Sequence, residues 1–142
     1  MNAIKFQQEL IKYAAKGIPS IYFKENNFIL IAHHSCKFAM RIKREDLYIN
    51  LSKFYTATTN FLDYDKEEKA TAFTIGEMQA WGKDTYIKFI YGKENKIFIN
   101  QKYLSYFKSL NLTYKATKKI LYIYDCEELI GAICTEKLPK EN

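Results

Sequence analysis

The sequence predicts an α+β domain: two amphipathic helices packed on a largely antiparallel sheet, in two similar halves of one helix and three strands each. Three observations carry this expectation. Residues 4–16 and 101–110 both place apolar side chains at helical spacing, and short apolar, aromatic and β-branched runs follow each of them. Two helices against about eight runs cannot alternate as a parallel α/β fold requires. With 142 residues, 48% of them hydrophobic, the chain can fill one sizeable core, so residues 1–142 are read as a single domain.

Residues Ile4 to Lys16 form the first expected helix, because Phe6, Leu10, Tyr13 and Ala14 recur on one helical face. Gly17 supplies a left-handed C′ position and Pro19 blocks continuation. Lys5, Gln8, Glu9, Lys12 and Lys16 share the opposite, net basic face, with Glu9 an acid in its midst. Ser20–Glu25 and Phe28–Ala32 then read as a hairpin about Asn26-Asn27, since Asn tolerates the positive φ of tight turns. Phe38–Lys43 alternates Phe38, Met40 and Ile42 with smaller or charged residues, the period-2 mark of a half-buried strand.

Between Glu45 and Lys69 the pattern weakens: Leu47–Leu51 fits a short strand and Asp63–Lys69 a charged, exposed loop. Strands resume at Thr71–Ile75 and Thr85–Tyr91, the latter turning through Gly92–Asn95 into Lys96–Ile99. Asn100 is suited to cap a second helix with Tyr103, Leu104, Phe107 and Leu110 on one face and Lys102, Ser105 and Lys108 on the other. Leu112–Lys115, Ile120–Tyr124 and Leu129–Cys134 complete the second half, the last two joined by Asp125-Cys126-Glu127-Glu128.

Lys and Arg number 22 against 16 Asp and Glu, a formal charge of +6, which directs attention to a polyanionic partner. The alternative is a solvated, lysine-rich surface. Three scattered cysteines, Cys36, Cys126 and Cys134, form no disulfide framework, and no signal-peptide pattern opens the chain, so a cytoplasmic location is expected. The longest apolar runs fall far short of a membrane span, which excludes a membrane partner. Abundant Lys, Ile, Asn and Tyr suggest an AT-rich coding source such as a low-GC bacterium, its phages or plasmids.

No catalytic set emerges. His33, His34 and Cys36 carry metal-ligating atoms, but no Cys-x-x-Cys or His-x-x-x-His spacing accompanies them. Adjacent residues of an extended chain point to opposite sides, so no metal site is expected. Cys36 with His34 lacks the orienting group and oxyanion site that an activated thiol needs. The five glycines are dispersed, which excludes a phosphate-cradling loop, and no cofactor motif is present. The carboxylates of 63–68 and of Glu127 and Glu128 lie in polar turns, where nothing would separate the pKa values of a carboxyl pair for acid–base work. The chain is therefore read as a binder and not an enzyme. Tyr122, Tyr124, Tyr86, Tyr91 and Trp81 are the aromatic candidates for stacking or anchoring, with packing in the core as the alternative.

The run Phe28-Ile29-Leu30-Ile31-Ala32-His33-His34-Ser35-Cys36-Lys37-Phe38-Ala39-Met40-Arg41-Ile42 sets an apolar strand, a turn and an apolar-Ala-apolar-Arg strand in order. Ile97-Phe98-Ile99-Asn100 followed by Gln101–Leu110 sets a strand before a helix, and Ile120–Leu138 closes with a hairpin. In this layout the chain resembles a domain of bacterial DNA polymerase sliding clamps, over roughly residues 4 to 44 and 96 to 138. It departs from the family at His33-His34, where Thr-Asp is frequent, and at Cys134-Thr135-Glu136-Lys137-Leu138, where clamps end on a Met-Pro-Met-Arg-Leu type tail.

The resemblance implies two helices turned toward DNA, with Lys5, Lys12, Lys16, Lys102 and Lys108 as the DNA-contacting residues, and self-association if a ring is to form. The leading expectation is thus a non-enzymatic, clamp-like domain, of phage or plasmid origin, that contacts duplex DNA or a replication protein. The second is a small effector that inhibits a host or defence enzyme through an aromatic surface or a free sheet edge.

Overall fold

The computed structural model describes residues 2–64 and 67–138. Helix α1 (Ala3–Ala15) begins where the Asn2 side chain accepts the Lys5 N–H. It ends where Gly17 enters the left-handed region at φ 85°, so that the N–H groups of Gly17 and Ile18 reach back to the carbonyls of Ala14 and Tyr13. Its inner face buries Phe6, Gln7 and Leu10. Gln7 donates to the Asp46 carbonyl at 3.0 Å and accepts the Tyr48 N–H at 2.9 Å, which fastens the irregular 44–51 segment to the helix.

Among the described residues eleven strands form one sheet: β1 (Ile21–Lys24), β2 (Phe28–Ala32), β3 (Phe38–Lys43), β4 (Tyr55–Thr56), β5 (Ala70–Phe73), β6 (Met78–Trp81), β7 (Asp84–Tyr91), β8 (Asn95–Asn100), β9 (Leu112–Ala116), β10 (Ile120–Asp125) and β11 (Glu128–Cys134). Their order is β4-β1-β2-β3-β11-β10-β9-β5-β7-β6, with every pairing antiparallel except the short β1–β4 contact. β7 carries β5 and β6 along one edge and β8 along the other. β8 is bridged through Phe98 to Glu136, just past β11, so the path β11-β10-β9-β5-β7-β8 returns on itself. β1, β2 and β3 extend from this circuit as a wing under α1.

The wing and its neighbours are buried on both faces. Ile29, Ile31, Met40, Ile42, Leu121, Ile123 and Ile133 join the main core with Phe6 and Leu10. Leu30, Ala39, Tyr122 and Ala132 form a smaller cluster on the other face with Leu62, which a 3₁₀ turn at 61–64 supplies. Two-sided burial explains the unbroken apolar run of β2. β3 is therefore no half-buried strand: Phe38, Ala39 and Met40 are all buried in succession.

The expected fold class is corrected. The protein is mostly sheet with one long helix, and two amphipathic helices packed on a sheet do not form. The second helix, α2 (Gln101–Leu104), is a single turn. Asn100 does cap it, accepting the Lys102 N–H at 2.9 Å, but the Ser105 hydroxyl then bonds the Lys102 carbonyl. The N–H groups of Tyr106 and Phe107 bond the carbonyls three residues back, which tightens and ends the helix.

Tertiary contacts hold that ending. The Asn2 N–H bonds the Tyr106 carbonyl, and Phe107 fills the space over Gly131, where an added Cβ would stand 2.3 Å from its ring. Leu110, expected on a buried helical face, is fully exposed. The repeat of helix and three strands fails for the same reason.

Elsewhere, Leu47–Leu51 makes no strand, and β4 and β6 form where the sequence predicts none. The Asn26-Asn27 turn uses no positive φ; left-handed non-glycine residues occur instead at Cys36, Cys126 and Glu127. Residues 65 and 66 of the charged stretch lie outside the described residues. Among the described residues no helix is long and apolar enough to cross a membrane.

Candidate functional site

Three segments converge where α1, the β2–β3 turn and the chain after α2 meet. β2 stops at Ala32, and the His33 N–H bonds the Phe38 carbonyl across the turn that leads to β3. Inside it the Cys36 N–H bonds the His33 carbonyl, and Cys36 takes φ 60°, the left-handed step that brings the chain around. In such a turn successive side chains no longer alternate. The rings of His33 and His34 lie 3.9 Å apart, and strand alternation, which would set them on opposite sides, fails here.

His33 is almost fully buried, its Nε2 3.0 Å from Glu9 Oε2 and its Nδ1 2.8 Å from Ser35 Oγ. Tyr106 O–H donates to the other Glu9 oxygen at 2.5 Å. His34 stacks on Tyr13 with ring centroids 3.5 Å apart, while Phe6 and Phe38 wall the far side of His33. Ligating atoms of Glu9, His33 and His34 all lie within 4.8 Å of one another.

Burial raises the Glu9 carboxyl, but hydrogen bonds from Tyr106 and His33, with the nearby Lys5 charge, outweigh it and leave the pKa below its ordinary value. Burial lowers His33 more than Glu9 raises it. His34 is lowered by burial and by His33 beside it. Both imidazoles are thus neutral near pH 7, and the His33–Glu9 contact is a hydrogen bond of neutral imidazole to carboxylate and not an ion pair. Burial and the Glu9 hydrogen bond push the Tyr106 phenol well up, so it stays a donor.

The contacts run Ser35–His33–Glu9, the order of a nucleophile relay. However, Ser35 Oγ also accepts the Lys37 N–H and stands two residues from His33, so its role is to fasten the turn. What the cluster can do is hold one proton or one cation between the carboxylate and the imidazoles.

The five lysines expected to face DNA do not form one pair of helical faces. Lys5, Lys12 and Lys16 lie exposed along α1, with Lys5 Nζ over the Tyr106 ring and Lys16 Nζ over the Tyr13 ring. Among the described residues none of the three has a carboxylate within ion-pairing distance. Lys102 is exposed on α2 and lies 3.9 Å from Asp84, and Lys108 is exposed beyond the helix end. Glu9 is the departure that matters: its carboxylate turns away from the basic stripe toward His33 and Tyr106.

A second feature lies on the opposite face of the sheet. A cavity of about 710 Å³ is lined mainly by apolar residues, among them Ala32, Ala39, Phe61, Leu62 and Ala132, with Cys36 and Cys134 also in its wall. All three cysteines are free thiols. Of the aromatic candidates, Trp81 is half exposed, while Tyr86 and Tyr122 are buried.

The residues missed by pattern reading are Glu9 as a partly buried partner, the side-by-side histidines and Tyr106. The one signal in the sequence is the polar His-His-Ser-Cys-Lys break between two strongly apolar runs, which marks a turn whose side chains can converge. Compared with known protein families, curated proteins and solved structures, the chain matches none.

Proposed function

We propose that this protein is a non-catalytic binding domain that contacts duplex DNA through the Lys5–Lys12–Lys16 stripe of α1. The observation that supports the reading is the withdrawal of Glu9. With that carboxylate engaged by Tyr106 and His33, three lysines follow one another along the helix surface, and among the described residues none of them forms an ion pair, although the Lys5 charge still acts on Glu9. The stripe extends about 16 Å at the helical rise, suited to phosphates along a groove edge. Lysines in such a row bind the backbone without reading sequence, and each contact releases counterions.

Fluorescence anisotropy with a duplex of arbitrary sequence tests the reading. The wild type should bind at low salt, with log K falling linearly against log salt concentration. The triple variant Lys5→Gln, Lys12→Gln, Lys16→Gln should reduce that slope by about 2–3. No low-salt binding, or an unchanged slope, would remove the proposal.

A second reading has its own observation. Phe73, Ile75, Met78 and Trp81 are all at least half exposed around β6, which ends the sheet order with an edge that no strand among the described residues pairs. A protein partner that adds a strand there would fit a small inhibitory effector. Such a partner would bind equally well to the lysine triple variant and lose affinity on Trp81→Ala.

A further inference from the structure

The geometry points to a divalent-metal site of zinc type formed by Glu9, His33 and His34, with a fourth position open to water or to an anionic group. This inference does not depend on the DNA reading. Two imidazoles and one carboxylate are a borderline donor set of the kind that holds zinc with one position free. Glu9 Oε2 and His33 Nε2 are 3.0 Å apart. Two ligands of a tetrahedral zinc at bonds of about 2.0–2.2 Å stand about 3.3 Å apart, so this edge is nearly in place. The widest separation in the cluster, within 4.8 Å, must close by up to about 1.5 Å. His34 can supply that closure, because it sits in a turn, its ring is partly exposed, and Tyr13 guides it face to face.

The outer contacts are those a metal site needs. Tyr106 O–H holds the second Glu9 oxygen and fixes which oxygen faces the imidazoles. Ser35 Oγ lies 2.8 Å from His33 Nδ1. Without metal, His33 carries its proton on Nε2, shared with Glu9, and Ser35 donates to Nδ1. On metal binding the ion takes the Nε2 lone pair and the single imidazole proton resides on Nδ1, so the Ser35 N–H, which donates to Nδ1 at 3.3 Å in the metal-free form, gives up that contact and Ser35 Oγ accepts the proton. His33 stays neutral throughout. Lys5 and Lys16 lie close by and oppose a cation, which limits affinity and favours an anion in the fourth position.

Two features set this cluster apart from an incidental grouping. Its carboxylate enters from α1, 24 residues before the histidine it meets, and is held by a tyrosine 97 residues further along the chain. His33 is also nearly inaccessible, as a ligand held in position should be.

Titration calorimetry of the full chain with Zn²⁺ tests the inference, in a background where Cys36, Cys126 and Cys134 are each changed to Ser to remove thiolate binding. One ion per chain is expected. Glu9→Gln and His34→Ala should each weaken binding by at least about tenfold, and Tyr106→Phe, which touches no ion, by about tenfold. Circular dichroism of each variant checks that it is folded, and His33→Ala is avoided because that ring is core. Co²⁺ in place of Zn²⁺ should give visible bands of a low-coordinate nitrogen–oxygen site. Absence of stoichiometric binding, or binding that Glu9→Gln and His34→Ala leave unchanged, would overturn the site.

Discussion

Helix α1 and residues 101–110 are built from similar material: an Asn cap, apolar residues at three- and four-residue spacing, and lysines between them. α1 runs for 13 residues, whereas α2 stops after 4. The difference lies in what each must bury. α1 has one apolar stripe, Phe6 and Leu10 with Gln7 beside them, and a straight helix presents it to the sheet. The second segment must bury Tyr106 and Phe107 in succession. Tyr106 is drawn to Glu9 and Phe107 to the hollow above Gly131. Unwinding into 3₁₀ turns satisfies both. Helical spacing is thus necessary for a helix but gives way when neighbouring residues have different destinations.

The largest expected effect concerns the anchor of the unwound segment. Phe107→Ala should cost about 3–5 kcal/mol in chemical denaturation, as a core aromatic deletion does, although Phe107 lies outside any regular helix. A loss below about 1 kcal/mol would mean that 101–110 is loosely held and would break the comparison. A smaller effect belongs to the helix itself. Asn2→Ala removes the cap on Lys5 and should cost about 1 kcal/mol, seen as a lower denaturation midpoint with unchanged slope.

Much of the strand layout is legible in the sequence. β2, β3 and the β9–β10–β11 meander fall where alternating or continuous apolar runs place them, and α1 has its stripe and Gly17 stop, while its Asn2 cap goes unread. β6 escapes because Met-Gln-Ala-Trp is short and mostly exposed, so no burial pattern marks it. The segment 44–51 takes its path from Gln7, a contact about 40 residues distant that no local spacing encodes. The candidate site is hidden for a related reason. Glu9 reads as one more charge on a polar face, and only the return of Tyr106 and His33 shows it to be a partner. Strand alternation misplaces the two histidines, because it does not hold in the turn they occupy.

Glu9 leaves the lysine stripe to join α1 to the β2–β3 turn and to the segment after α2, and both the basic stripe and the metal site depend on that move. Its carboxyl titration, followed by carbon NMR in the wild type and in Tyr106→Phe, measures this directly. Because the folded-state pKa is depressed, Glu9 adds stability that is fully present above the ordinary carboxylate pKa and is lost as pH falls through the lower folded value. The wild type should titrate below the usual glutamate value, and Tyr106→Phe should move it upward. A wild-type Glu9 that titrates at the ordinary value, unmoved by Tyr106→Phe, would place the carboxylate back in solvent among the lysines and contradict this arrangement.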